Sequence, residues 1–71
     1  MAHLRSAKDL GGIIREERRR QGVTQAELAG LADVGLTFLS QLENGKDSAE
    51  IGKALRVMTM LGIDVDASPR T

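Results

Sequence analysis

The chain has 71 residues, no cysteine, one aromatic side chain, and ten basic against ten acidic residues, for a formal net charge of zero. That length allows a single domain over residues 1–71 with a small core, burying only about 60% of the unfolded surface. Disulfides and thiolate metal sites are excluded. No apolar run reaches membrane-spanning length and the N-terminus lacks the hydrophobic stretch of a signal peptide, so a soluble cytoplasmic protein is expected.

The first predicted helix spans residues 7–21. Ser6 is placed to cap it with Asp9 three residues on, and Gly22 ends it. Leu10, Ile13 and Ile14 form its apolar face. Gly11 and Gly12 in its second turn cost about 1 kcal/mol each relative to Ala; close approach to another backbone would account for the pair. Residues 1–22 hold six basic and three acidic side chains, residues 23–46 one and three, and residues 47–71 three and four. The basic excess therefore lies on this helix, where Arg15 and Arg19 stand one turn apart and could flank a nucleic-acid backbone. Interleaved with Glu16 and Glu17, the same residues also read as a solubilising face.

Two short helices follow, over 25–32 and 36–44. Thr24 and Glu27 have capping-box spacing, and Leu28, Ala29 and Ala32 recur at helical spacing as an inward stripe. Asp33-Val34-Gly35 interrupts the pattern with turn-type residues. In the second of the two, Leu39 and Leu42 point inward and Gly45 is a natural stop. Thr37, Ser40, Gln41 and Asn44 share the opposite face at i, i+3, i+4 and i+7. Gln can bond adenine bidentately, and Ser or Thr can serve either base type or phosphate. These residue types are also ordinary on a solvated surface, so the face alone is compatible with both readings. Phe38 is expected to pack at the helix edge.

Thr24-Gln25, Glu27-Leu28-Ala29 and Ser40-Gln41-Leu42-Glu43-Asn44-Gly45 resemble, in register, the signature of the Cro/C1-type (XRE) helix-turn-helix domains of small phage repressors. The resemblance implies an all-α, lambda-repressor-like bundle of four to five helices that binds double-stranded DNA. It implies that Gln25 bonds a phosphate, that Leu36, Thr37, Ser40 and Gln41 meet base edges, and that Asn44 and Lys46 lie on the phosphate backbone. It further implies a structural ion pair between Arg18 and Glu43. Two departures stand out: Asp33 occupies a place where the family usually has Gly, and Gly35 one where it usually has Ser or Thr. The third helix thus lacks a strong side-chain cap, unless Asp33 supplies it or shifts the turn by a residue. A leucine at position 36 could still contact a thymine methyl.

Ser48 with Glu50 opens a fourth predicted helix, residues 49–61, with Gly62 as its stop. Ile51, Leu55, Met58 and Leu61 are its expected core face, and Val57 and Met60 widen the apolar arc beyond what one small core needs. Ile63-Asp64-Val65-Asp66-Ala67 then alternates strictly, as a strand does. Nothing else in the chain offers a partner strand, so residues 63–67 are expected to pair with a second copy across a two-fold axis. Val57, Met60, Ile63 and Val65 are the expected dimer contacts; a frayed tail is the plainer reading.

A capped leading helix, a helix-turn-helix, one further helix and a terminal strand together look like the HipB-type antitoxins, and in particular the short Y4mF-type regulators. That resemblance implies a homodimer that binds an inverted-repeat operator, represses its own operon and holds a HipA-like kinase toxin in check. A stand-alone or phage-type repressor is the alternative, as is a protein-interaction module that no longer binds DNA. No enzyme is expected: His3 is the one histidine, there is no cysteine, and no carboxylate pair sits in an evident pocket. No cofactor or metal is expected either.

Overall fold

A computed structural model describes residues 4–47 and 50–69. Four helices follow in order: α1 (Ala7–Arg20), α2 (Gln25–Ala32), α3 (Leu36–Glu43) and α4 (Ile51–Met60). Helix α1 packs on α3, α2 on α3, and α2 on α4. The core between them comprises Ile14 of α1, Leu28, Ala29 and Ala32 of α2, Leu39 and Leu42 of α3, and Ala54, Val57 and Met58 of α4 with Leu61 just beyond it. Leu10, Val23, Val34, Phe38 and Ile63 pack around its rim.

The helix starts follow from local chemistry. The Ser6 hydroxyl accepts from the Asp9 backbone N–H, and Asp9 accepts in return from the backbone of Arg5. Thr24 and Glu27 form a reciprocal capping box. Helix α3 starts at Gly35 with no side-chain hydrogen bond. The expected opening of α4 at Ser48 and Ala49 lies outside the described residues; the helix is described from Ile51.

The helix ends share one design. After each, a residue with positive φ turns the chain, and the N–H of the next residue reaches back to a carbonyl five residues earlier: Val23 to Arg18, Val34 to Ala29, Lys46 to Gln41 and Ile63 to Met58. At three of these ends the turning residue is glycine, which adopts that region without steric cost. At α2 it is Asp33, at φ 55° and ψ 51°. Asp33 therefore neither caps α3 nor moves the turn; it stands in for glycine as the stop of α2. Val23, Val34 and Ile63, the residues that follow the turn at three ends, tuck onto the core.

Three expectations for the C-terminal half are corrected. Helix α4 is rotated relative to the expected stripe, so that Ala54, Val57, Met58 and Leu61 are buried while Ile51 and Leu55 are 63% and 41% exposed. Val57, at 0% exposed, belongs to the core and not to an outer dimer face. No strand is present among the described residues: residues 63–69 form no regular element, because a strand needs a neighbour to ladder with and the single chain supplies none. Ile63 is half-buried on its own core, so its first role is to close α4.

Candidate nucleic-acid interface

Helix α3 is held from behind by two close approaches to α1. A Cβ placed on Gly11 would collide with the Leu42 carbonyl oxygen and lie 2.8 Å from that of Glu43. One placed on Gly45 would lie 2.7 Å from the Cα of Lys8. The second turn of α1 thus rests directly on the last carbonyls of α3, which answers for Gly11. Gly12 faces open space and has no such reason.

Beside this seam lies a buried ion pair. Arg18 donates through Nε to Glu43 Oε2 at 2.7 Å, through Nη2 to Glu43 Oε1 at 2.9 Å, and through Nη1 to the Val23 carbonyl at 2.9 Å. Gln25, at the start of α2, donates its amide to Glu43 Oε1 at 3.1 Å, and Arg15 Nε stands 3.6 Å from the same oxygen. One carboxylate therefore ties three helices together. Burial alone would push the Glu43 carboxyl up, but the Arg18 and Gln25 hydrogen bonds and the positive charges outweigh it and hold the group below its ordinary range.

This clamp fixes what α3 shows outward. Leu39 and Leu42 are buried, whereas Leu36, Thr37, Gln41 and Asn44 are exposed and Ser40 is half-buried. The outer face carries hydroxyls, amides and one leucine, and no charge. Lys46 follows at the end of α3, at the position where the other three helices place Val23, Val34 and Ile63 on the core. Lys46 instead is exposed, which puts a cation beside the polar face. Gln25 is half-buried at the neighbouring end of α2. Gln25, Asn44 and Lys46 thus gather around the C-terminal end of α3, while Leu36 and Thr37 stand at its other end. Phe38 is half-buried at the edge of α3 and faces the Lys53 ammonium, 5.5 Å from its ring centroid.

Among the long-range contacts, two that involve α4 or its end had no signature in the sequence. Arg56 of α4 donates from Nε to the Ala32 carbonyl at 3.1 Å and from Nη2 to the Asp33 carbonyl at 2.9 Å, capping the end of α2 and holding the turn before α3. Gln21 donates to the Leu61 carbonyl at 2.7 Å, joining the ends of α1 and α4. Neither contact is local, so no spacing rule finds it.

A family model described as helix-turn-helix matches residues 14–67, which takes in α2, the turn, α3 and α4. The chain belongs to the helix-turn-helix family. It is a DNA-binding transcriptional regulator of the Cro/C1 (XRE) type with a HipB-like fold. Among relatives, it is 44% identical over 63 residues to the uncharacterized HTH-type transcriptional regulator y4mF of Sinorhizobium fredii, covering 89% of this chain and 83% of that protein. Among solved structures, a HipA-HipB-O2-O3 complex contains a chain that superposes with a TM-score of 0.86 at 20% identity, over the full length of both. The restriction-modification controller protein C.AhdI of Aeromonas hydrophila superposes with a TM-score of 0.73 at 26% identity, over 82% of this chain and 88% of that one. None of the described helices is long and apolar enough to cross a membrane.

Proposed function

We propose that this regulator binds an inverted-repeat operator as a homodimer, with α3 of each copy in the major groove. Leu36, Thr37, Ser40 and Gln41 meet base edges, while Gln25, Asn44 and Lys46 anchor the phosphate backbone. The observation that carries this reading is the division of α3 into a clamped inner side and an uncharged, hydrogen-bonding outer side. Such a side suits base edges, with the cation placed at its rim for phosphate. Half-sites would lie about one helical turn, ~10 base pairs, apart.

The dimer contacts left to the outside are Met60 and Val65, 49% and 51% exposed. On this reading the protein serves as the antitoxin of a HipBA-like operon, represses that operon and neutralises a HipA-like kinase toxin. The support is the fold shared with a chain of the HipA-HipB-O2-O3 complex; the y4mF relative supports transcriptional regulation. A stand-alone repressor is the second reading, supported by the likeness to a restriction-modification controller protein.

Gel retardation on the DNA upstream of its own gene tests the reading face. Gln41→Ala should abolish the shift while leaving the circular dichroism melt unchanged, and unaltered retardation would remove Gln41 from the reading face. Co-expression with a kinase-like neighbouring gene separates the two functions: growth rescue and co-purification support the antitoxin, and their failure supports the stand-alone repressor.

A further inference from the structure

Arg15 of α1 has no place in the reading face described above, yet it lies against it. Its Nη2 donates to Asn44 Oδ1 at 2.6 Å, and its Nε stands 3.6 Å from Glu43 Oε1. We propose that Arg15 is a DNA-backbone contact that also orients Asn44, so that helix α1 takes part in binding. The inference rests on the reading that the C-terminal end of α3 meets phosphate.

Two features of the geometry carry it. First, the junction holds two guanidinium groups, Arg15 and Arg18, against the single carboxylate of Glu43. The Arg18 side chain is 10% exposed and doubly bonded to Glu43, so the carboxylate is spent on it. The Arg15 side chain is 37% exposed, so the surplus positive charge sits at the surface beside an otherwise uncharged helix face. Second, the hydrogen bond from Arg15 turns Oδ1 of the Asn44 amide toward α1 and leaves its two N–H donors for another group. Amide donors next to an incompletely neutralised guanidinium suit a ligand that accepts, as a phosphate oxygen does. Arg20, at the end of the same helix, is instead bonded to Glu17.

The test is the salt dependence of binding to a random-sequence 20-base-pair duplex, for the parent, Arg15→Gln, Arg15→Lys and Arg20→Gln. Each phosphate contact contributes about −0.9 to the slope of log K against log salt. Arg15→Gln should make the slope shallower by about 0.9 per bound chain. Arg20→Gln, the same change of charge on the same helix, should leave the slope where it was. Arg15→Lys should keep the parent slope but bind more weakly, because a single ammonium cannot both hold Asn44 and lie beside Glu43 as the two ends of the guanidinium do. Circular dichroism melts show whether each variant is folded, and Arg15→Lys carries the test if Arg15→Gln is not. Equal slopes for parent and Arg15→Gln, or equal changes for Arg15→Gln and Arg20→Gln, would overturn the role of Arg15 while leaving the reading of α3 intact. A parent that retains no duplex at any salt concentration would overturn both.

Discussion

The two sides of the helix-turn-helix are held by different means. On one, α1 meets α3 through glycine and a buried ion pair, with backbone against backbone and the Glu43 carboxylate fully bonded. On the other, α4 meets α2 through apolar side chains, and Arg56 reaches over to the carbonyls of Ala32 and Asp33. The first seam fixes α3, the helix proposed to face DNA, and tolerates little change. The second is built from adaptable parts, and its outer surface keeps Ile51, Leu55 and Met60 exposed. A small regulator can thus hold its proposed reading helix rigidly on one side and pack the other with apolar side chains.

The largest effect should come from the buried carboxylate. Glu43→Leu leaves the Arg18 guanidinium buried without its counter-charge, and thermal unfolding should show a loss of about 3–5 kcal/mol. The same group gives a pH signature. The Glu43 carboxyl titrates lower in the folded chain than its ordinary value of 4.5, so its stabilisation is present above that value and is lost as pH falls below it. Glu17, bonded to Arg20 and Gln21, is lowered to about 2 and acts in the same direction at the surface. Acid unfolding should therefore begin below about pH 4.5, and Glu43→Leu should flatten the dependence. A melt that is independent of pH between about 2 and 5 would break the contrast between the seams.

Next is the glycine pair. Gly11→Ala drives a methyl group into the carbonyls of Leu42 and Glu43 and should cost about 1–3 kcal/mol. Gly12→Ala meets open space and should gain up to about 1 kcal/mol from helix propensity. Opposite signs at adjacent positions are the expected outcome of thermal melts; equal signs would mean that α1 does not sit at backbone distance from α3. The smallest effect lies at the turn. Asp33→Gly relieves a left-handed residue and should stabilise the chain by about 1 kcal/mol, since the Arg56 bonds go to main-chain carbonyls and survive the change.

The amino-acid sequence announces the parts whose causes are local. The start of α2 is legible because Thr24 and Glu27 act on their immediate neighbours, whereas Asp33-Val34-Gly35 leaves the start of α3 open until Asp33 is seen to end α2 in the left-handed region. The inward placement of Leu28, Ala29, Ala32, Leu39 and Leu42 follows from the same periodicity. Helix α4 is harder, because Ile51, Ala54, Leu55, Val57, Met58 and Leu61 form an arc wide enough to hold two overlapping stripes. Periodicity cannot choose between them. The choice falls to tertiary fit: Ala54 is small enough to be buried, and Arg56 finds carbonyls at the end of α2. The alternation in residues 63–67 is real, but alternation creates no partner, and the single chain leaves the segment unladdered. Of the candidate site, the face of α3 is legible from spacing, whereas the link from Arg15 to Asn44 spans 29 residues and needs three dimensions.

The most direct test of a clamped inner side and a DNA-reading outer side is a backbone amide chemical-shift titration of the labelled protein with duplex DNA carrying its operator. The largest perturbations should fall on Gln25, Thr37, Ser40, Gln41, Asn44 and Lys46, with α4 nearly unchanged. Perturbations concentrated on Ile51 and Leu55, with α3 silent, would contradict it.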